Sequence, residues 1–283
     1  MCLLIALFQV VPGAPLMMAA NRDERLDRPA VAMTVLRDAG PRILGGRDEL
    51  AGGTWLAVNE HGVVAGLTNQ PSAAGRDPSK KSRGELPLAF AAYKTAGAAV
   101  TALRGELRPV QYNPCWMLVA DRHTLYSVGF AGGTGPEVEE LGAGVHILEN
   151  APLRTPSAKA DLVRRLVSRG RAAQSDQGPA GTQQALDAVL RIHQPAVPEP
   201  RADDTGRAWP AEISAPCVHT RDYGTRSAMT VCLPGSGVPV VRVAAGRPCE
   251  NPFRDVTPLW TAPPVPSAGR DQDPAGRHPH AGP

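Results

Sequence analysis

A cysteine stands at position two of this 283-residue chain, heading the apolar run LLIALF, and the tetrad Asn21-Arg22-Asp23-Glu24 closes the next apolar run. If Met1 is removed, the thiol and a free α-amino group share one residue. That amine titrates near neutral pH and can serve as general base for its own side chain. A neighbouring guanidinium such as Arg22 raises the thiolate fraction, while Asp23 or Glu24 can orient the ammonium or the arginine. Two other readings compete with a nucleophile: a truncated secretory leader and a thiol packed into a buried strand. A leader carries basic residues ahead of its apolar stretch, and none precedes CLLIALF. Between the other two, position alone does not decide.

The elements around these residues must bring them together. VPGAP, with its proline and glycine, reads as a turn between two strands. Antiparallel pairing then sets the end of the second strand, NRDE, beside the thiol at the start of the first. TWLAV and VVAGLTN form a second hairpin around NEHG, and CWMLVA pairs with TLYSVGF. GVHILEN is a short strand ending at Asn150. TRSAMTVCL and VPVVRVA pair around PGSG. Ser82 and Glu85 have capping-box spacing ahead of one Ala-rich helix, LPLAFAAYKTAGAAVTAL. TPSAKADLVRRLVSRG is a helix capped by Thr155, with Pro156 in its first turn and Gly170 as its stop, and TQQALDAVLRIH is another. Hairpins imply antiparallel sheets whose faces the helices cover, an α+β protein built in layers. Residues 1–260 form one domain; residues 261–283, rich in Pro, Gly and charge, are expected to be a disordered tail.

Composition excludes several function classes. Hydrophobic residues make 42% and charged residues 20% of the chain, with a formal net charge of +3, and no basic face suited to nucleic acid is evident. No stretch approaches the ~20 apolar residues of a membrane span, so a cytoplasmic protein is expected. The five cysteines are widely spaced with no C-x-x-C, which argues against a disulfide framework and a zinc site. Cys217 lies two residues before His219, on one face if the segment is extended, but no further ligands are evident and no metal is expected. GGRDELAGGTW lacks the lysine and helix of a phosphate loop. It reads as a loop lining a cleft, with Trp55 as packing anchor. Arg83 reaches the site or is solvated, and Lys159, in a first helical turn, is expected to be exposed.

MCLLIALF, AANRDE, GGTWLAV, GLTN, RGEL, EN followed by PLRTPSAK, and YGTRSAMTV occur together and in this order. The set resembles the NRDE family, also called the Transport and Golgi organization protein 2 family, from Met1 to about Trp260. That family is similar to cysteine N-terminal-nucleophile hydrolases, which include penicillin V acylases and bile salt hydrolases. The resemblance implies a four-layer αββα sandwich of antiparallel sheets, with Cys2 as nucleophile. It also implies Asn150 as an oxyanion donor, with Asn69 as a further donor, and Arg226 as a late active-site arginine. Those hydrolases keep arginine and aspartate three positions apart, whereas Arg22 and Asp23 are adjacent. On a regular strand the two point to opposite faces, so either Arg22 with Asp23 or Asn21 with Glu24 faces the thiol.

Two functions follow from the resemblance. One is a hydrolase or acyltransferase acting on a small acyl-amide or acyl-thioester without a cofactor. The other is a non-catalytic protein that carries haem, lipid or acyl-CoA in the same cleft, with haem as a ligand only in that case.

Overall fold

A computed structural model describes residues 2–71, 75–199, 201, 202 and 208–263. Its strands run in chain order as β1 (Leu3–Val11), β2 (Ala14–Arg25), β3 (Ala30–Arg37), β4 (Ile43–Asp48), β5 (Leu56–Asn59), β6 (Val64–Asn69), β7 (Cys115–Ala120), β8 (Leu125–Gly129), β9 (Glu137–Glu140) and β10 (Gly144–Leu148). After a short ribbon, β11 (Arg201–Ala202) with β12 (Ala208–Trp209), come β13 (Tyr223–Leu233), β14 (Val240–Ala245) and β15 (Arg254–Asp255). The helices are α1 (Glu85–Phe90), α2 (Ala96–Glu106), α3 (Ala158–Ala173) and α4 (Gly178–Leu190). One sheet has the order β10-β1-β2-β13-β14-β15 and the other β3-β4-β5-β6-β7-β8-β9, every pairing antiparallel.

Alternation along β1 explains the layering. Leu4, Ala6 and Phe8 pack between the two sheets against Leu56, Val58 and Leu118, while Leu3, Ile5 and Leu7 pack under Val163 of α3 and Leu186 of α4. Both faces of the strand are covered, which is why its sequence reads as a continuous apolar run. Across the molecule α1 and α2 cover the second sheet, Leu86, Phe90 and Leu103 lying on Met117 and Val119. The order of layers is therefore helix, sheet, sheet, helix, the αββα sandwich expected from the resemblance. No helix among the described residues is long and apolar enough to cross a membrane.

Three local expectations are corrected. The single Ala-rich helix is two, separated by residues 91–95. Asn59 donates from Nδ2 to the carbonyls of Ala91 (2.8 Å) and Tyr93 (2.7 Å), drawing off acceptors that a continuous helix would use. Thr95 then caps α2 from its side chain, and Asp121 accepts from the Ala96 N–H at 2.7 Å. Ser82 makes no cap to Glu85; the first cap position of α1 is Gly84, without a side-chain bond. In α3 the cap is Ser157 rather than Thr155, and the helix continues through Gly170 to Ala173. Gly170 allows α3 and α4 to touch there, since a Cβ would lie 2.9 Å from that of Ala185. Two strands not read from the sequence, β3 and β4, precede TWLAV. The proposed tail falls outside the described residues beyond 263, while Trp260 before it is buried, its indole N–H on the Pro239 carbonyl at 2.8 Å.

Asn59 also accepts at Oδ1 from the N–H groups of His61 (3.0 Å) and Val63 (2.9 Å), so one buried amide shapes both the β5–β6 turn and the α1–α2 break. Asn59→Ala leaves these backbone groups unpaired and should lower stability by about 3 kcal/mol in urea unfolding.

Candidate functional site

The register of the first sheet places the thiol. Leu4 opposes Ala20 on β2 and Leu148 on β10. Two residues further along these lines stand Cys2, just ahead of β1, Arg22 on β2 and Asn150, just beyond β10. In antiparallel pairs opposed residues share a face, so all three belong to the face between the sheets, continuing the line of Leu4, Ala20 and Leu148. Asn21 and Asp23 continue the opposite line, that of Met17 and Ala19, toward α3 and α4. The open question of pairing thus resolves differently from either choice. Arg22 and Glu24 share the thiol's face, whereas Asn21 and Asp23 lie behind the sheet.

Asp23 stays close to the thiol nevertheless. Cys2 Sγ donates to the Asp23 carbonyl at 3.8 Å. The Asp23 carboxylate accepts from Thr225 Oγ1 at 2.6 Å and lies 3.9 Å from the buried Lys159 ammonium. Burial raises the Asp23 pKa, and the Lys159 charge and Thr225 hydrogen bond oppose that rise. Burial likewise pushes the Cys2 thiol up, with the Asp23 charge adding to it and the Arg22 charge opposing it. Lys159, expected to be exposed, is 2% exposed. The run PSAK carried the only signal for it, and α3 folding back on the sheet buries it.

Arg22 is held on two sides. Nη2 donates to Asp48 Oδ2 at 3.0 Å, and the guanidinium lies 4.6 Å from the ring centre of Trp55, within cation–π range. The Trp55 ring in turn rests on Gly46, where a Cβ would stand 2.0 Å from it. Nη1 of Arg22 is buried without a hydrogen-bond partner. Asp48 also accepts from Arg28 Nε at 2.7 Å and from the Ala51 N–H at 2.9 Å. Burial alone would raise its carboxyl; the Arg28 and Ala51 bonds and the two arginine charges outweigh this and hold it below the usual range. Asp48 sits in the segment read as a loop lining the cleft, but its role as anchor of Arg22 was not legible there.

Cys2, Arg22, Asp23, Glu24, Trp55, Asn69 and Arg83 line one cleft of about 340 Å³, and Arg28, Arg76 and Lys81 add positive charge to it. Arg83 donates to the Pro114 carbonyl at 3.2 Å. Its pKa is lowered mainly by burial, with Cys115 foremost and then Cys2 and Glu24 acting against that. Asn150 lines a neighbouring pocket instead: its Nδ2 donates to the carbonyl of Asn69, which does line the cleft, joining the two sheets, and its Oδ1 is buried without a partner. Arg226 is placed elsewhere. It is the unopposed residue of a bulge in β13, between the pairs Thr225–Asp23 and Ser227–Arg22. Its guanidinium donates to the carbonyls of Arg25 and Leu26, securing the chain beyond β2. Asn21 is a clamp, donating to the carbonyls of Leu190 (3.0 Å) and Pro216 (2.8 Å).

Two measurements check these placements. Asn21→Ala should cost about 2 kcal/mol in urea unfolding, because two buried carbonyls lose their donor. In protein that keeps Met1, alkylation of Cys2 by iodoacetamide should rise with pH later than that of a free cysteine thiol, since burial raises the thiol.

A family model described as Transport and Golgi organisation 2 matches residues 1–240. The Transport and Golgi organization 2 homolog of Mus musculus is 30% identical over 258 residues, covering 84% of this chain and 90% of that protein. The Homo sapiens homolog is 29% identical over 260 residues with the same coverage. Among solved structures, a variant of the conjugated bile acid hydrolase from Clostridium perfringens is 12% identical with a TM-score of 0.45, covering 90% of this chain and 96% of that one. Penicillin V acylase from Agrobacterium tumefaciens is 11% identical with a TM-score of 0.48, covering 91% and 98%.

Proposed function

This chain belongs to the Transport and Golgi organisation 2 family, and we propose that it acts as a cysteine N-terminal-nucleophile hydrolase or acyltransferase on a small amide or thioester. The observation that carries this reading is that Cys2 and Arg22 line one cleft, with Arg22 Nη1 buried there without a partner.

The chemistry requires loss of Met1. The Cys2 α-amine then takes the thiol proton while sulfur attacks the acyl carbonyl, and the Arg22 charge, already opposing the upward shift of the thiol, favours the thiolate. The developing oxyanion needs donors in place beforehand. Asn150 Nδ2 has two hydrogens, one directed to the Asn69 carbonyl, which leaves the second for the oxyanion. Collapse of the tetrahedral intermediate breaks the bond to the leaving amine or thiol, which receives its proton from the Cys2 ammonium. Water, deprotonated by the same amine, then clears the acyl-enzyme; another acceptor in its place gives acyl transfer. Asp23, fixed by Thr225 and Lys159, orients the ammonium from behind the sheet. The surplus of guanidinium and ammonium groups around Arg22, Arg28, Arg76, Lys81 and Arg83 suits a substrate carrying a carboxylate or phosphate.

The same cationic lining favours a second reading, carriage of an anionic ligand such as haem or acyl-CoA without turnover. An acyl-amide and acyl-thioester panel separates the two. Wild-type protein, its Met1 absent by intact mass, should turn over at least one substrate, and Cys2→Ala should reduce the rate to background. Asn150→Ala should lower kcat about 100-fold, as for loss of one oxyanion donor. Equal turnover by Cys2→Ala, or full activity with Met1 retained, overturns the nucleophile. Saturable haem binding by absorbance, with no substrate turned over, assigns the cleft to carriage.

A further inference from the structure

Away from the cleft, the chain gathers two cysteines and two histidines from three segments. His193 follows α4, Cys217 and His219 precede β13, and Cys249 lies in the turn after β14. Cys217 Sγ is 3.7 Å from Cys249 Sγ and 3.5 Å from His219 Nε2, and His219 Nε2 is 3.1 Å from Cys249 Sγ. Ligand atoms of His193, His219 and Cys249 all lie within 4.8 Å of one another, and the two imidazole rings are 5.4 Å apart. All five cysteines of the chain are free.

We propose that Cys217, His219, Cys249 and His193 form a structural site for a zinc-class divalent cation. The distances carry the argument. An ion bonded tetrahedrally at about 2.3 Å to sulfur and about 2.05 Å to nitrogen sets its sulfurs about 3.8 Å apart and sulfur from nitrogen about 3.5 Å. Two of the three separations within the Cys217, His219 and Cys249 set match these values, and the third is slightly shorter. A disulfide would instead need the sulfurs to close to about 2.05 Å. His193 is exposed, so its side chain is free to swing the remaining distance to the fourth position. Two thiolates balance the charge of a divalent ion, two neutral imidazoles add none, and the two thiol protons leave to solvent on binding. The expectation of no metal rested on the lack of ligands near Cys217 and His219 in sequence; folding supplies Cys249 and His193 from positions remote along the chain.

The site has a structural consequence for the cleft. The Cys217 N–H donates to the Ile192 carbonyl and the Val218 N–H to Thr225 Oγ1, both at 2.8 Å. That Thr225 hydroxyl donates to Asp23, and Pro216 accepts from Asn21. A bound cation would therefore brace the segment that holds the back of β2.

The test strips the full-length protein with a chelator and titrates zinc chloride against a chromophoric indicator, with cobalt(II) in parallel. Expected are one zinc per chain, tetrahedral thiolate bands with cobalt, and a rise in Tm with zinc. Cys249→Ser, and His193→Ala at an exposed position that leaves the fold intact, should each weaken zinc binding at least about tenfold and shrink the Tm rise. Absence of stoichiometric zinc binding, wild-type affinity in Cys249→Ser, or a Cys217–Cys249 disulfide in freshly purified protein, seen as loss of two hydrogens in intact mass, overturns the proposal.

Discussion

The hydrogen-bonded register of β1 between β10 and β2 is the constraint on which the site depends. A strand covered by helices on one side and by a second sheet on the other cannot slip by a residue without turning Leu3, Ile5 and Leu7 into the wrong layer. Because that register is fixed, so is the position of the residue at its head. Cys2 directly precedes β1, with no loop of adjustable length intervening, and lines the cleft with Arg22.

Charge at the cleft is arranged around Arg22. Asp48 neutralises part of it, Trp55 supports its flat face, and Gly46 makes room for Trp55. This support comes from the second sheet, whereas Cys2 belongs to the first. The cleft is accordingly a property of the packed pair of sheets. The link between Asn150 and Asn69 fastens the same two sheets on the other side of the thiol.

Behind the first sheet a second polar layer runs from Lys159 through Asp23 and Thr225 to the segment carrying Cys217 and His219. Buried charges in an otherwise apolar layer must be paired. The Asp23–Lys159 pair meets this need and joins α3 to the end of β2. Asn21, beside it, ties β2 to α4. The tetrad Asn21-Arg22-Asp23-Glu24 thus divides its side-chain work by face: Asn21 and Asp23 brace the helical side, while Arg22 and Glu24 lie on the thiol's face, although Asp23 also borders the cleft.

The sequence alone determined the hairpins, the covering helices, the meeting of NRDE with the thiol, and the family to which the chain belongs. The first three depend on local turn chemistry and on apolar periodicity, which neighbouring residues encode; the family came from the resemblance of motifs that occur together and in order. Only the tertiary structure decided which member of the tetrad faces Cys2, because face depends on register across strands. It alone turned Arg226 to the carbonyls beyond β2, since a one-residue bulge leaves no mark in periodicity. It alone split the Ala-rich helix at Asn59, buried Lys159, and drew Cys249 and His193 to the Cys217–His219 pair. Each of these rests on a contact between residues distant in the chain, and spacing along one sequence carries no record of such contacts.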